Sequence, residues 1–209
     1  MFDIAIIGGG PGGYVAAEKA GKNGLTTILF EKKDLGGVCL NEGCIPTKTM
    51  LYSAKLYDQA RKSEKYGVHV EEALLDYKKM TDRKTKVIRK LVAGIGLRMR
   101  NAGVEVVKAE ATISGRTDNG AICIIANGET YEAKNLLICT GSETFVPPIP
   151  GLDMTANEAI VTNRELLALK EAPTSLVIIG GGVIGMEFAS LYNSIGAEVH
   201  VVEMMPEIL

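Results

Sequence analysis

Residues 3–31 read DIAIIGGGPGGYVAAEKAGKNGLTTILFE. Asp3 to Ile7 is a short apolar run of the kind that forms a buried strand. Gly8-Gly9-Gly10-Pro11-Gly12-Gly13 follows it, then a helical stretch from Tyr14 to Lys22 and a turn at Asn23-Gly24. A second strand runs from Thr26 to Phe30 and ends on Glu31. Strand, glycine turn, helix, strand and terminal acid together form the pattern that holds a dinucleotide. Gly8 permits the tight turn, Gly10 lets a pyrophosphate approach the backbone, and Gly13 lets the helix lie close on the strand. The helix start offers unpaired N–H groups to phosphate. Glu31 can accept hydrogen bonds from a ribose.

The pattern occurs twice. After a short helix expected over Asn163 to Leu169, Leu176 to Ile179 is a strand. Gly180-Gly181-Gly182-Val183-Ile184-Gly185 follows, then a helix to Ile195, a strand from Glu198 to Val202, and Glu203. Glu31 lies 23 residues after Gly8, and Glu203 lies 23 residues after Gly180. A lone glycine motif is weak, but a duplication with equal acid spacing is not. Both acids suit a ribose with a free hydroxyl. A site for a 2′-phosphate would more often carry an arginine near the second acid, and residues 201–209 contain none.

Between the two copies stands GGVCLNEGCIPTK, residues 36–48. Cys39 and Cys44 are too few to make a zinc site without further ligands close by. The chain has only two histidines, His69 and His200, and the other cysteines are Cys123 and Cys139. A redox couple is one reading, and two buried thiols in a loop-to-helix joint is the other. Residues five apart in a helix rise about 7.5 Å, beyond the usual disulfide reach of about 4.4–6.8 Å between Cα atoms. A bond would therefore need a bend or a helix start, and Gly36, Gly37, Gly43 and Pro46 fit one. If helix has begun by Cys44, Lys48 lies on the same face one turn later.

The remaining stretches read more simply. The helix containing Thr49 continues to Lys62, Tyr66 to Val70 is extended, and Tyr77 to Asn101 is a long helix. Met80, Val87, Leu91, Ile95 and Met99 repeat along that helix at its own period. Its lysines and arginines form a solvated face. Val104 to Ile113, Ala121 to Ala126 and Thr130 to Ala133 are strands of an antiparallel meander, and Leu136 to Cys139 is a strand returning to the parallel sheet. Pro147, Pro148, Pro150 and Gly151 form a stiff connector. The histidines each fall among alternating apolar residues in what reads as strand.

Nearly half of the 209 residues are apolar and the formal charge is −2. The basic residues are dispersed and tryptophan is absent, so nothing indicates a nucleic-acid surface. The longest apolar run, Leu176 to Met186, is too short for a bilayer and broken by glycines. No basic leader precedes the first strand, so the expected compartment is the cytoplasm, where a disulfide is more often catalytic than structural.

These segments resemble the pyridine nucleotide–disulfide oxidoreductases, flavoproteins that use FAD. GGVCLNEGCIPTK is close to the family's redox-active segment. GGGPGG with Glu31, the TGS segment at Thr140-Gly141-Ser142, and GGGVIGME with Glu203 follow in family order. Within the group the chain is most similar to members that oxidise protein-bound dihydrolipoamide with NAD. The resemblance implies an α/β fold: a Rossmann-like FAD domain with an antiparallel meander insertion over residues 1–146, then the first part of a Rossmann-like NAD domain over 147–209.

It also implies roles. FAD would lie along Gly8, Gly10, Pro11 and Gly13, with its ribose at Glu31 and Lys32 nearby, Gly37 and Val38 alongside, and Ala109 at the adenine. Thr140, Gly141 and Ser142 would lie near the flavin. Cys139 stands where the family more often has alanine, a neutral buried exchange. Cys44 would face the flavin and Cys39 would exchange with substrate, as a redox-active disulfide. Lys48 would sit near the reactive end of the ring, paired with Glu187. NAD would take Gly180, Gly182, Val183, Ile184, Gly185, Glu187 and Glu203. No metal is implied. The partner would be dihydrolipoamide on a lipoyl domain of a 2-oxo acid dehydrogenase or glycine cleavage complex, and the full-length protein would be a homodimer.

Family members are considerably longer. The expectation is therefore an N-terminal fragment that binds FAD weakly and does not turn over, its NAD remnant leaving apolar faces uncovered. Neither histidine can stand in for the family's acid–base His–Glu pair. The alternatives are an NADPH-dependent disulfide or mercuric reductase of the same family, and a non-enzymatic dinucleotide-binding redox module.

Overall fold

The computed structural model describes residues 1–208; Leu209, the last residue of the expected second domain, lies outside the described residues. The chain divides into two units. The first is built from Met1–Glu42 with Ile88–Val146, and the second from Gly43–Val87 with the chain from Pro147 onward.

The first unit is organised on a six-stranded sheet. Strands β1 (Phe2–Ile7), β2 (Thr27–Phe30) and β3 (Glu105–Val107) run parallel, with β2 between the other two. Strands β4 (Ala111–Arg116), β5 (Ile122–Ala126) and β6 (Glu129–Ile138) complete the order β3-β2-β1-β6-β5-β4. Helix α1 (Pro11–Lys22) covers one face. It starts three residues before the expected Tyr14, because Pro11 occupies the first helical position, where its missing N–H costs nothing. Ile6 faces this helix, while Ala5, Ile28, Phe30, Ile124 and Ala133 fill the core of the other face. Phe30 meets Tyr131 edge-on, with ring centroids 5.2 Å apart.

Strand β6 joins the parallel and antiparallel halves. Residues 129–133 pair antiparallel with β5, and residues 133–138 pair parallel with β1. The expected pair of strands, Thr130–Ala133 and Leu136–Cys139, is thus one ten-residue strand. Lys134 and Asn135 do not interrupt it because the start of β1 takes both. Lys134 Nζ lies 2.7 Å from Asp3 Oδ1, and Asn135 Nδ2 donates to Asp3 O at 3.0 Å. The Asn127-Gly128 turn before β6 places both residues at positive φ, 51° and 80°, as a tight hairpin requires.

The expected strand Val104–Ile113 is two, β3 and β4. Beyond Val107 the chain bends, with the Ala109 N–H shared between Glu31 O and Val107 O, each at 3.1 Å. Tyr66–Val70 is not extended. A 3₁₀ turn spans Glu64–Tyr66, and Gly67 closes it in the left-handed region at φ 77°. His69 accordingly lies on an exposed irregular stretch rather than a strand, whereas His200 lies on the last strand beside Glu198.

In the second unit β7 (Ser175–Ile179) pairs parallel with β8 (Glu198–Val202). Helix α2 (Gly37–Glu42) belongs to the first unit, and α3 (Cys44–Arg61) opens the second. Helix α4 (Tyr77–Asn101) matches its expected bounds, with Met80, Ile95 and Met99 buried and Leu91 exposed. Helix α5 (Asn163–Ala168) is fastened by a capping box between Thr162 and Glu165. Helix α6 (Val183–Ser194) contributes Phe188, Leu191 and Tyr192 to a core shared with Met50 and Ala54 of α3 and Leu166 of α5.

Two polar side chains are locked into this second core. Lys84 is buried and donates to Leu167 O at the end of α5, and burial pushes its ammonium pKa down. The fully buried Tyr192 hydroxyl donates to Leu166 O at 3.2 Å and lies 3.3 Å from the Tyr77 hydroxyl. Desolvation drives its pKa far up. Replacing Tyr192 by Phe removes the donor and leaves both partners short of a bond. The expected cost is about 1–3 kcal/mol, read as a lower urea midpoint; Tyr52→Phe, on the exposed face of α3, should leave the midpoint unchanged.

Two candidate dinucleotide turns and a cysteine segment

In the first unit, β1 ends in a turn built by backbone contacts. Gly8 has φ 104°, and a Cβ there would lie 2.1 Å from Cys139 O. A Cβ on Gly13 would lie 1.8 Å from Gly8 O, so only glycine lets α1 approach the strand this closely. The Gly8 N–H donates to Phe30 O at 2.8 Å. Glu31 Oε2 accepts the Gly9 N–H and Oε1 accepts the Lys33 N–H, both at 2.7 Å.

The second unit repeats these contacts. Gly180 has φ 107°, and its N–H donates to Val202 O at 2.9 Å. A Cβ on Gly185 would lie 2.2 Å from Gly180 O. Glu203 Oε2 accepts the Gly181 N–H at 2.6 Å, and Oε1 accepts the Met205 N–H at 2.8 Å. Those two N–H groups hold the Glu203 carboxyl below its ordinary pKa. One difference separates the copies: Cys139 and Thr140 back Gly8, whereas nothing described lies within 4 Å of a Cβ on Gly180.

Neither backbone angle nor close packing forces glycine at the helix cap of either turn. Gly10 caps α1 at φ −72°, ψ −175°, and Gly182 caps α6 at φ −75°, ψ 176°. Any residue adopts those angles. A Cβ on Gly10 would meet only Gly37 Cα, at an ordinary 3.6 Å, and one on Gly182 would meet nothing described within 4 Å. Each sits at a helix N-terminus, where a side chain would stand in the path of an approaching phosphate. The turns therefore fit the pyrophosphates of FAD and NAD.

The other expected contacts distribute as follows. Ala109 is buried and bonded to Glu31 O, so those two are neighbours. Thr140 adjoins Gly8, and Gly141 and Ser142 continue exposed, Gly141 at φ 76°. Cys139 Sγ lies 3.4 Å from the position of a Gly12 Cβ, so the thiol lines the turn rather than the deep core. Lys32 turns away to Glu110 at 3.3 Å. Gly37 touches the turn, since a Cβ on it would lie 2.8 Å from Gly10 Cα, and Val38 is exposed beside it. Val183 and Ile184 are exposed on the first turn of α6.

The cysteine segment is two helices. Half-buried Cys39 lies on α2 and exposed Cys44 opens α3, with Gly43 breaking the helix at φ −144°, ψ −109°. No disulfide is formed among the described residues. Pro46, in the first turn of α3, fits the helix without breaking it. Lys48 follows Cys44 by one turn, and its Nζ lies 2.5 Å from Glu187 Oε1 on α6. Asn41 carries a role the sequence did not disclose. Its Nδ2 donates to Asp34 O at 3.3 Å, Leu35 O at 3.2 Å and Gly37 O at 3.0 Å. A small amide beside glycines was the only signal. Among the described residues no group of three or more His, Cys, Asp or Glu could hold a metal, and no helix is long and apolar enough to cross a membrane.

A parallel sheet ending in a glycine turn, with an acid at the end of the next strand, defines a dinucleotide-binding protein. The family model described as pyridine nucleotide-disulphide oxidoreductase matches residues 2–209, and the chain belongs to that family. It is 45% identical to dihydrolipoyl dehydrogenase of Acholeplasma laidlawii, covering all of this chain and 61% of that one. It is 42% identical to dihydrolipoyl dehydrogenase of Chlorobaculum parvum, covering 44% of it. Among solved structures, HOCl-induced flavoprotein disulfide reductase RclA from Escherichia coli superposes with a TM-score of 0.82 at 30% identity, over 99% of this chain and 43% of that one. The chain spans about half the length of the curated relatives it matches.

The glycine geometry separates two kinds of substitution. Gly13→Ala should disrupt the first turn and lower the melting temperature. Gly10→Ala and Gly182→Ala replace an N-cap glycine by a poorer cap and should cost at most about 1 kcal/mol of stability, yet each should weaken its own nucleotide at least about tenfold by calorimetry, roughly 1.4 kcal/mol. The Glu203 contact carries a pH signature. Because its folded pKa is depressed, the contact is present above the ordinary carboxyl value of 4.5 and is lost as pH falls through the lower folded value. The Gly181 amide signal should therefore titrate below pH 4.5, and Glu203→Gln should abolish that titration.

Proposed function

We propose that this chain is the cofactor-binding part of a flavin-dependent disulfide oxidoreductase that oxidises protein-bound dihydrolipoamide, with NAD as acceptor. Residues 1–146 form its FAD domain and residues 147–209 begin its NAD domain. The observation that carries this reading is the pair of unforced glycines, Gly10 and Gly182, at duplicated helix starts. The relatives' shared name gives the substrate class.

In the oxidised enzyme Cys39 and Cys44 form a disulfide. A substrate thiolate attacks the Cys39 sulfur, a mixed disulfide forms, and Cys44 leaves as a thiolate. The second substrate thiolate then displaces Cys39, so the substrate closes to its cyclic disulfide and the pair is reduced by two electrons. FAD, when bound, supplies the two-electron chemistry that links this pair to NAD. Lys48, held by Glu187, places a cation one helical turn from Cys44. Glu203, followed by Met204 and Met205 rather than a cation, selects NAD over NADP. The protein acts in the cytoplasm, as a homodimer, on a lipoyl domain of a 2-oxo acid dehydrogenase or glycine cleavage complex.

The test is an absorption spectrum of the chain loaded with FAD. A flavin band that gains long-wavelength absorbance on adding dihydrolipoamide, in the parent and not in Cys44→Ser, is the expected result. Flavin retained with no response to the dithiol in the parent would leave a binding module and remove the oxidoreductase. Full-length enzyme that prefers NADPH would replace the dehydrogenase reading by a reductase.

A further inference from the structure

Asn41 lies on α2, between the two cysteines of the segment. Three backbone carbonyls, those of Asp34, Leu35 and Gly37, converge on its side-chain nitrogen at 3.3, 3.2 and 3.0 Å. Only the NH₂ end of the amide can face three carbonyl oxygens; the oxygen end would be repelled by all of them. The Asp34 and Leu35 carbonyls belong to the loop that leads into α2, and Gly37 is the first residue of that helix. That loop is joined to the glycine turn directly, because the Gly36 N–H donates to Gly9 O at 2.8 Å and Gly37 lies against Gly10. Gly36 and Gly37 both take positive φ, 110° and 63°, an unstrained choice for glycine but one of many open to it, so holding the loop in this one shape needs support from contacts. The Asn41 amide supplies that support from within α2, two residues after Cys39.

We infer that Asn41 is a positioning residue: it clamps the 34–36 loop to the start of α2 and thereby fixes where Cys39 stands relative to the first glycine turn. Its relevance to catalysis rests on the reading of Cys39 as the sulfur that exchanges with substrate. The clamp itself does not depend on that reading. Losing it frees α2 to shift against the turn, which exposes the Cys39 sulfur and loosens the Gly36 contact. The sheet beneath is held by other bonds and stays in place.

Two variants test this, Asn41→Ala, which removes the donor, and Asn41→Asp, which keeps the shape but sets oxygens against the three carbonyls. Native-state hydrogen exchange should show the Gly36 amide exchanging about tenfold faster in each, a change of about one hydrogen bond. The Gly8 amide, bonded to Phe30 O, should be unchanged. Alkylation followed by peptide mapping should show Cys39 reacting several-fold faster, with Cys123 on β5 unaffected. Unchanged Gly36 exchange in both variants would overturn the clamp. Faster Cys123 alkylation in step with Cys39 would show general loosening and would also overturn it. If Asn41→Ala does not fold, Asn41→Asp decides on the same two readouts. Because neither readout needs flavin or substrate, a failure of the oxidoreductase reading would leave them intact.

Discussion

A carbonyl oxygen with no room beside it for a methyl group governs both halves of this chain. Gly8 O and Gly180 O each stand where a Cβ on Gly13 or Gly185 would have to be. That approach brings the first turn of a helix down onto the end of its strand. The unpaired N–H groups of the helix then collect above the strand's carboxyl end, where a phosphate can meet several of them at once. Everything that follows in each unit, from the acid at the end of the next strand to the glycine at the helix cap, is arranged about that closeness.

The acids show how one group can serve two ends. Glu31 and Glu203 each spend one oxygen on a glycine N–H of the turn and the other on an N–H two residues ahead. A carboxylate has about four acceptor sites, so each retains capacity for a ribose hydroxyl while already holding its turn in shape. The binding surface is thereby set before any ligand arrives, which lowers the ordering cost of binding. The same pinning holds the Glu203 carboxyl below its ordinary pKa, so it stays charged to a lower pH.

The copies share their local contacts and differ in their neighbours. Gly8 is backed by the chain leaving β6, while the equivalent space at Gly180 is open among the described residues. The first copy lies in a sheet of six strands and the second in a sheet of two. Local geometry of this kind therefore does not depend on a complete sheet; it is set by one strand, one helix and the strand after it.

The glycine turns, the acids and their spacing were legible in the sequence because each is enforced within some two dozen consecutive residues, where backbone sterics act alone. The bounds of α4 and β8 were legible for the same reason, since periodicity ran unbroken to a turn. Other features depended on partners distant in the chain. Only the tertiary structure showed that Lys134 and Asn135 stay within β6, because their partner, Asp3, lies at the start of β1. Only it showed that Ala109 bonds back to Glu31 and Val107, and that Asn41 gathers three carbonyls. A hydrogen bond acts over about 3 Å, and no pattern in a linear sequence states which distant groups folding will bring within that range.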